Sequence, residues 1–115
     1  MLRTIQIGEQ QIPMLAMASV DYYFQQIFHE DPLKIQTSKS LDEADMINFL
    51  FRMGFVMAKF AELRSRKAMV QLNQDAYLDW LDQFDRGEYM DALEAVRDVY
   101  DGQKQPSSTA KKNND

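Results

Sequence analysis

Cysteine is absent from the 115 residues of this chain, and histidine occurs once. Without Cys there are no disulfides, no thiolate chemistry and no Cys-based zinc or iron–sulfur site. One His cannot build a His-rich metal site. Glycine is scarce, and its four copies stand isolated at 8, 54, 87 and 102. A Gly-rich phosphate loop is therefore excluded. Positive charge is short: 13 Lys+Arg face 18 Asp+Glu, a formal charge of −5. That balance argues against general nucleic-acid binding, which needs a basic surface to neutralise phosphates. Long apolar runs are missing too. The best stretch, Met46 to Ala61, is broken by Asn48, Arg52 and Lys59, whereas a membrane span needs about 20 apolar residues. Met1-Leu2-Arg3-Thr4 lacks the layout of a signal peptide. A cytoplasmic protein without membrane association is expected.

What remains is enough to fold. Hydrophobic residues make up 45% and charged residues 27%, a balance typical of one small globular domain. Methionine is abundant at eight copies, beside seven Phe, five Tyr and one Trp. Met fills irregular gaps and adapts to varied partners.

The pattern predicts a mainly α fold: about four helices, an N-terminal β-hairpin over 1–15, and a disordered tail over 103–115. In the hairpin, Ile5 and Ile7 alternate with polar residues, as do Ile12 and Met14. With Glu9-Gln10 at the turn centre, Ile7 faces Ile12 and Ile5 faces Met14. Pro13 cannot donate to a ladder and belongs on an edge. Ser19 reads as an N-cap for a helix with Val20, Tyr23, Phe24, Ile27 and Phe28 on one face. Asp31-Pro32 ends it, and 33–39 reads as a polar connection. Ser40 and Glu43 form a capping box for a long helix running to about Lys67. Gly54 is its weak point. Asn73 opens a third helix with Tyr77, Leu78, Leu81 and Phe84 inward and Trp80 flanking. A fourth turns Tyr89, Leu93, Val96 and Tyr100 inward and closes near Gly102. Residues 1–102 make the domain, and Ala110 is the one apolar side chain beyond Gln103.

The long helix carries the most information. Positions 45, 48, 52, 55, 59, 62 and 66 follow a 3-4 spacing and form one stripe. They read Asp45, Asn48, Arg52, Phe55, Lys59, Glu62 and Arg66. Almost everything else from Leu41 to Leu63 is apolar. Either the rest of the chain covers this surface, or a partner or a second copy does. On the second reading Met46, Met53, Phe55, Met57 and Phe60 form a partner-binding face, with Phe55, intruding in the polar stripe, its sharpest member.

Catalysis finds no support. His29-Glu30-Asp31 do not converge on a metal, and no second His completes a set. Asp82, Asp85, Glu88, Asp91, Glu94 and Asp98 fall on solvated helix faces rather than in a polar pocket. No Ser/His/Asp triad is credible with one His at a helix end. Arg64-Ser65-Arg66-Lys67 reads as a basic helix terminus in an acidic protein. A binding protein without cofactor or metal is expected, not an enzyme.

The order of segments has a likeness. Ile7-Gly8-Glu9-Gln10-Gln11-Ile12-Pro13 leads into a helix with Tyr23 and Phe28. Then come Asp31-Pro32-Leu33, the long Met- and Phe-rich helix, Trp80-Leu81-Asp82-Gln83-Phe84, and a Ser/Thr tail with Lys111-Lys112-Asn113. Over residues 5 to about 113 this resembles the tail assembly chaperones of long-tailed bacteriophages, particularly of Gram-positive hosts. Each motif is short; their order makes the match. Gly8-Glu9 stands where an Asn-Gly turn would be stronger. The resemblance implies a small helical non-enzyme that binds the tape measure protein, keeps it soluble and helps tail tube protein polymerise around it. It further implies action in the host cytoplasm during virion assembly and absence from the mature virion. Such proteins are often made in two forms by programmed frameshifting, and Lys111-Lys112-Asn113 suits an A-rich slippery run in the shorter form. Two other classes fit the composition: a small helical dimeric adaptor or regulator, and an acidic inhibitor protein. A DNA-binding regulator should show a basic recognition helix, and the last two helices are acidic.

Overall fold

A computed structural model describes residues 2–64 and 66–102, the side chains of Arg66 and Lys67 excepted. The predicted tail and the Arg64–Lys67 cluster as a unit lie outside the described residues. The described chain is mainly helical with an N-terminal hairpin, as its periodicities predict. The order is β1 (Leu2–Ile7), β2 (Gln10–Leu15), α1 (Val20–Phe28), α2 (Pro32–Thr37), α3 (Glu43–Leu63), α4 (Arg66–Met69), α5 (Gln74–Leu81) and α6 (Arg86–Tyr100). Four of these helices were expected; α2 and the single turn α4 were not.

The hairpin pairs Ile5 with Ile12 and Ile7 with Gln10, two residues away from the predicted register. Its turn is Gly8-Glu9, because Gly8 accepts a φ of 62° that begins a tight two-residue turn. A slip of two leaves every side chain on its own face. Ile5, Ile7 and Met14 are buried as expected, and Ile12 packs beside them. Pro13 pairs with Thr4 at the edge of a two-stranded sheet, where its missing N–H costs no ladder bond. β2 packs on α3 and β1 on α6. At the tip, the Gln10 side-chain amide donates to the Gln83 carbonyl at 3.3 Å.

Helix α1 forms over the predicted residues, but Ser19 does not cap it. Its hydroxyl makes no cap bond and is buried without a partner among the described residues. The helix closes at His29 in the left-handed region, φ 62°, its N–H bonded to the Gln25 carbonyl at 2.8 Å. Asp31-Pro32 then does a second job. Asp31 accepts from the Leu33 N–H at 3.0 Å, and Pro32 sits at the first position of α2. Proline suits that position because its N–H is not needed there. The polar connection expected over 33–39 is therefore mostly a helix of six residues.

The long helix is capped by Asp42, not Ser40. Asp42 accepts from the Asp45 N–H at 2.8 Å, and Asp45 accepts from the Asp42 N–H at 3.3 Å. The same capping pattern recurs two residues downstream of the expected one, while the Ser40 N–H donates to the Ser38 hydroxyl instead. The helix stops at Leu63 rather than Lys67. Arg64 turns left-handed, φ 52°, and its N–H returns to the Phe60 carbonyl at 2.9 Å. Asn73 caps α5 as predicted, accepting from the Ala76 N–H at 2.9 Å. On α5 the roles of two residues exchange: Trp80 is buried and Leu78 is 53% exposed. Helix α6 buries Tyr89, Leu93 and Val96 as expected, with Ala92 and Val99.

Helix α3 is the centre. It packs against β2, α1, α2, α4, α5 and α6. A connected seam of rings runs through it: Tyr100 to Phe49, Phe24, Phe28, Phe55, Trp80 and Tyr89, with successive centroids 5.0–6.3 Å apart. That is the favourable range for edge-to-face and tilted pairs.

Candidate functional site

The expected partner-binding face is interior. Met53, Phe55 and Met57 are 0% exposed and Phe60 is 2%. Met46 is half-buried against the core. The chain covers its own apolar helix at Met53, Phe55, Met57 and Phe60, so these four offer no docking surface in the folded chain. Phe55 has a specific role. Its ring lies 5.4 Å from Tyr77 and 5.7 Å from Trp80 on α5, and 6.3 Å from Phe28 on α1. The apolar intrusion marks where α5 contacts the polar stripe.

That contact divides the stripe into two open clefts. One lies toward the C-terminal end of α3, where Lys59 and Glu62 form an ion pair at 3.3 Å. Pro13, Trp80 and Gln83 complete its walls. The other is larger, about 480 Å³, and lies between α2 and the first half of α3. Asp45, Asn48 and Arg52 line it from α3. Glu30 and Asp31 line it from the α1–α2 joint, and Lys34, Ile35, Ser38 and Leu41 from α2 and the following loop. Its volume falls in the range of ligand sites, roughly 300–1,000 Å³. Seven of the nine lining residues are polar or charged.

Arg52 dominates this cleft. Its side chain is only 13% exposed. The guanidinium carbon stands 5.0 Å from the Phe24 ring centre and 5.4 Å from that of Phe28. The aromatic faces offset part of the desolvation of a buried cation. One hydrogen bond joins it, from Nη1 to Glu30 Oε1 at 3.0 Å. Glu30 itself is 55% exposed. The Arg52 Nε is fully buried without a hydrogen-bond partner among the described residues. A guanidinium has five N–H donors, and one of this one's has a described protein partner. Asp31 and Asp45 differ from Glu30, because each already accepts a backbone N–H at a helix start.

Beside the cleft, Tyr100 ties three helices together. Its hydroxyl donates to Asp21 Oδ1 at 2.7 Å and accepts from Gln36 Nε2 at 3.1 Å. Burial and the bond to Asp21 push this hydroxyl above the ordinary tyrosine range. Burial pushes Tyr77 up to about 12, with Arg52 pulling the other way. Tyr89 is pushed well up, again by burial.

Sequence reasoning put Asp45, Asn48 and Arg52 on one polar stripe without marking them as a site, and missed Glu30, Lys34, Ile35 and Leu41 beside them. The available signal was Asp-Pro followed by four residues free of Gly and Pro, which suits a short helix start. Among the described residues, no three His, Asp or Glu side chains gather where a metal ion would be held. No helix there is long and apolar enough to cross a membrane. Family models, curated proteins and solved structures yield no match to this chain.

Proposed function

We propose that this chain is a phage tail assembly chaperone that binds and solubilises the tape measure protein and promotes tail tube assembly around it. The observation that carries the reading is the order of segments along the chain: hairpin, aromatic helix, Asp31-Pro32-Leu33, Met- and Phe-rich helix, Trp80 segment and Lys-bearing tail. The fold is compatible with work of this kind. It supplies a small helical body with an open, charged cleft. Client binding then belongs to the cleft and not to the buried Met53–Phe60 face. The acidic surface helps a complex with an aggregation-prone client stay in solution. The tail tube protein is the second partner on this reading, and the host cytoplasm during assembly is the place of action.

Co-expression with the tape measure protein of the same phage tests it. Tape measure recovered in the soluble fraction only when this chain is present supports the proposal. Tape measure that pellets equally in both cases refutes it. The gene offers a separate check on the shorter form, since no slippery heptamer over the Lys111-Lys112-Asn113 codons removes the frameshift.

A further inference from the structure

We infer that the Arg52 cleft is a carboxylate-binding site, that Glu30 occupies it as an internal stand-in, and that its ligand is an Asp or Glu side chain on a polypeptide partner.

The case begins with the mismatch between Arg52 and its surroundings. A cation this buried normally has its donors satisfied, because an unpaired buried donor carries its full desolvation cost. Arg52 instead has a single-point contact at 3.0 Å to a carboxylate that is itself more than half exposed. Arginine and carboxylate pair best through two parallel bonds. The Glu30 contact uses one nitrogen and leaves Nε without a partner. Nε itself is closed off from the surface, so a carboxylate arriving through the cleft would make its two-point pair with the terminal nitrogens, where Glu30 makes one contact.

The surroundings support the same chemistry. Phe24 and Phe28 hold the guanidinium against their rings, which fixes its plane and lowers the ordering cost of a two-point bond. Lys34 adds a second positive charge to the lining. Asp31 and Asp45 are engaged at helix starts through their own backbone bonds. Glu30 is the one lining carboxylate whose described partner is Arg52. When it swings toward solvent, Arg52 loses its one described carboxylate partner, and the remaining lining charges, Asp31 and Asp45 against Lys34 and Arg52, balance.

A polypeptide is favoured over a free small acid by the walls. The cleft lies open to solvent between α2 and α3, so it does not enclose a small ligand as such pockets do. A helix or strand laid along α2, with one acidic side chain reaching down to Arg52, fits this arrangement. The assignment concerns the group the cleft accepts and stands apart from whether the client is a tape measure protein.

The stand-in relation predicts a result of unusual sign. The test uses the full chain, isotope-labelled, with the Arg52 Nε–H signal followed by nuclear magnetic resonance. Sodium acetate is titrated at constant ionic strength against sodium chloride. Acetate should shift the signal saturably, and Glu30→Gln should lower the midpoint about threefold, the equivalent of removing one partly exposed ion pair. A shift no different from chloride, or a midpoint unchanged or raised in Glu30→Gln, overturns the site. The source is tested with a helical peptide of repeated Glu-Ala-Ala-Ala-Lys and its Gln-for-Glu counterpart. Saturation by the Glu peptide at lower concentration than acetate, and not by the Gln peptide, supports a polypeptide ligand. Response to acetate alone overturns that part and leaves a small-acid site.

Discussion

Tyr89 lies across α3 at Gly54. Its hydroxyl donates to the Phe51 carbonyl at 3.0 Å, and a Cβ on residue 54 would overlap that same hydroxyl. The glycine that looked like a weakness of the helix is the notch that admits α6. Gly54→Ala should therefore destabilise the fold, although alanine favours a helix by about 1 kcal/mol. Tyr89 is 1% exposed and its ring cannot move aside freely, so an overpacking cost of about 1–3 kcal/mol exceeds the propensity gain. Urea unfolding of the variant measures the net loss.

The pair is coupled, and a double-mutant cycle isolates the coupling. Tyr89→Phe removes the hydroxyl and its bond to Phe51, at about 1 kcal/mol. In that background Gly54→Ala should cost clearly less than in the wild type, because the overlapping atom is gone. Strict additivity of the two changes would contradict the notch.

Ser19 separates a capping role from a packing role. A working N-cap loses about 1 kcal/mol on conversion to alanine. The Ser19 hydroxyl is buried without a described partner, so Ser19→Ala should be neutral or slightly stabilising. A fall in melting temperature of several degrees would mean that the hydroxyl does cap α1.

Alkaline pH should unfold the protein through its tyrosines. Burial raises Tyr77 to about 12 and Tyr89 well above its ordinary value. In the unfolded chain both ionise near pH 10. Stability is thus fully present below about pH 10 and falls as pH rises toward the folded values. For the deeply buried Tyr89 the slope is about 1.4 kcal/mol per pH unit over that window. Spectrophotometric titration of phenolate should show these tyrosines ionising together with loss of helical circular dichroism.

Much of this fold is legible in the chain itself, for reasons that differ by element. Helices α1 and α6 carry long runs of one apolar face, and that periodicity survives any small change in boundaries. The hairpin shows by alternation, but its register depends on which pair of residues turns, and Gly8 decides that by its positive φ. Helix α2 is six residues long, too short for a 3.6-residue period to appear. The end of α3 at Arg64 has no glycine or proline to announce it. The partner face was misplaced for a deeper reason. An apolar surplus on one helix shows that something covers it, but not whether the cover lies in the same chain. Phe55 makes the point, since Tyr77 and Trp80 provide the cover from residues downstream. Phe55→Ala should accordingly cost about 3–5 kcal/mol of stability, read by thermal unfolding of the chain alone.

The cleft was half legible. Asp45, Asn48 and Arg52 share a stripe by spacing, but α2 brings Lys34 and Ile35 opposite them only through tertiary packing. Asn48 is exposed and lines the cleft, so Asn48→Trp fills the space without cutting a described bond. Soluble recovery of the tape measure protein, co-expressed with either the wild-type chain or Asn48→Trp, tests the central claim most directly. The account predicts soluble tape measure with the wild type and its loss with Asn48→Trp, at a melting temperature close to wild type. Tape measure that pellets with the wild-type chain as completely as without it would contradict the account.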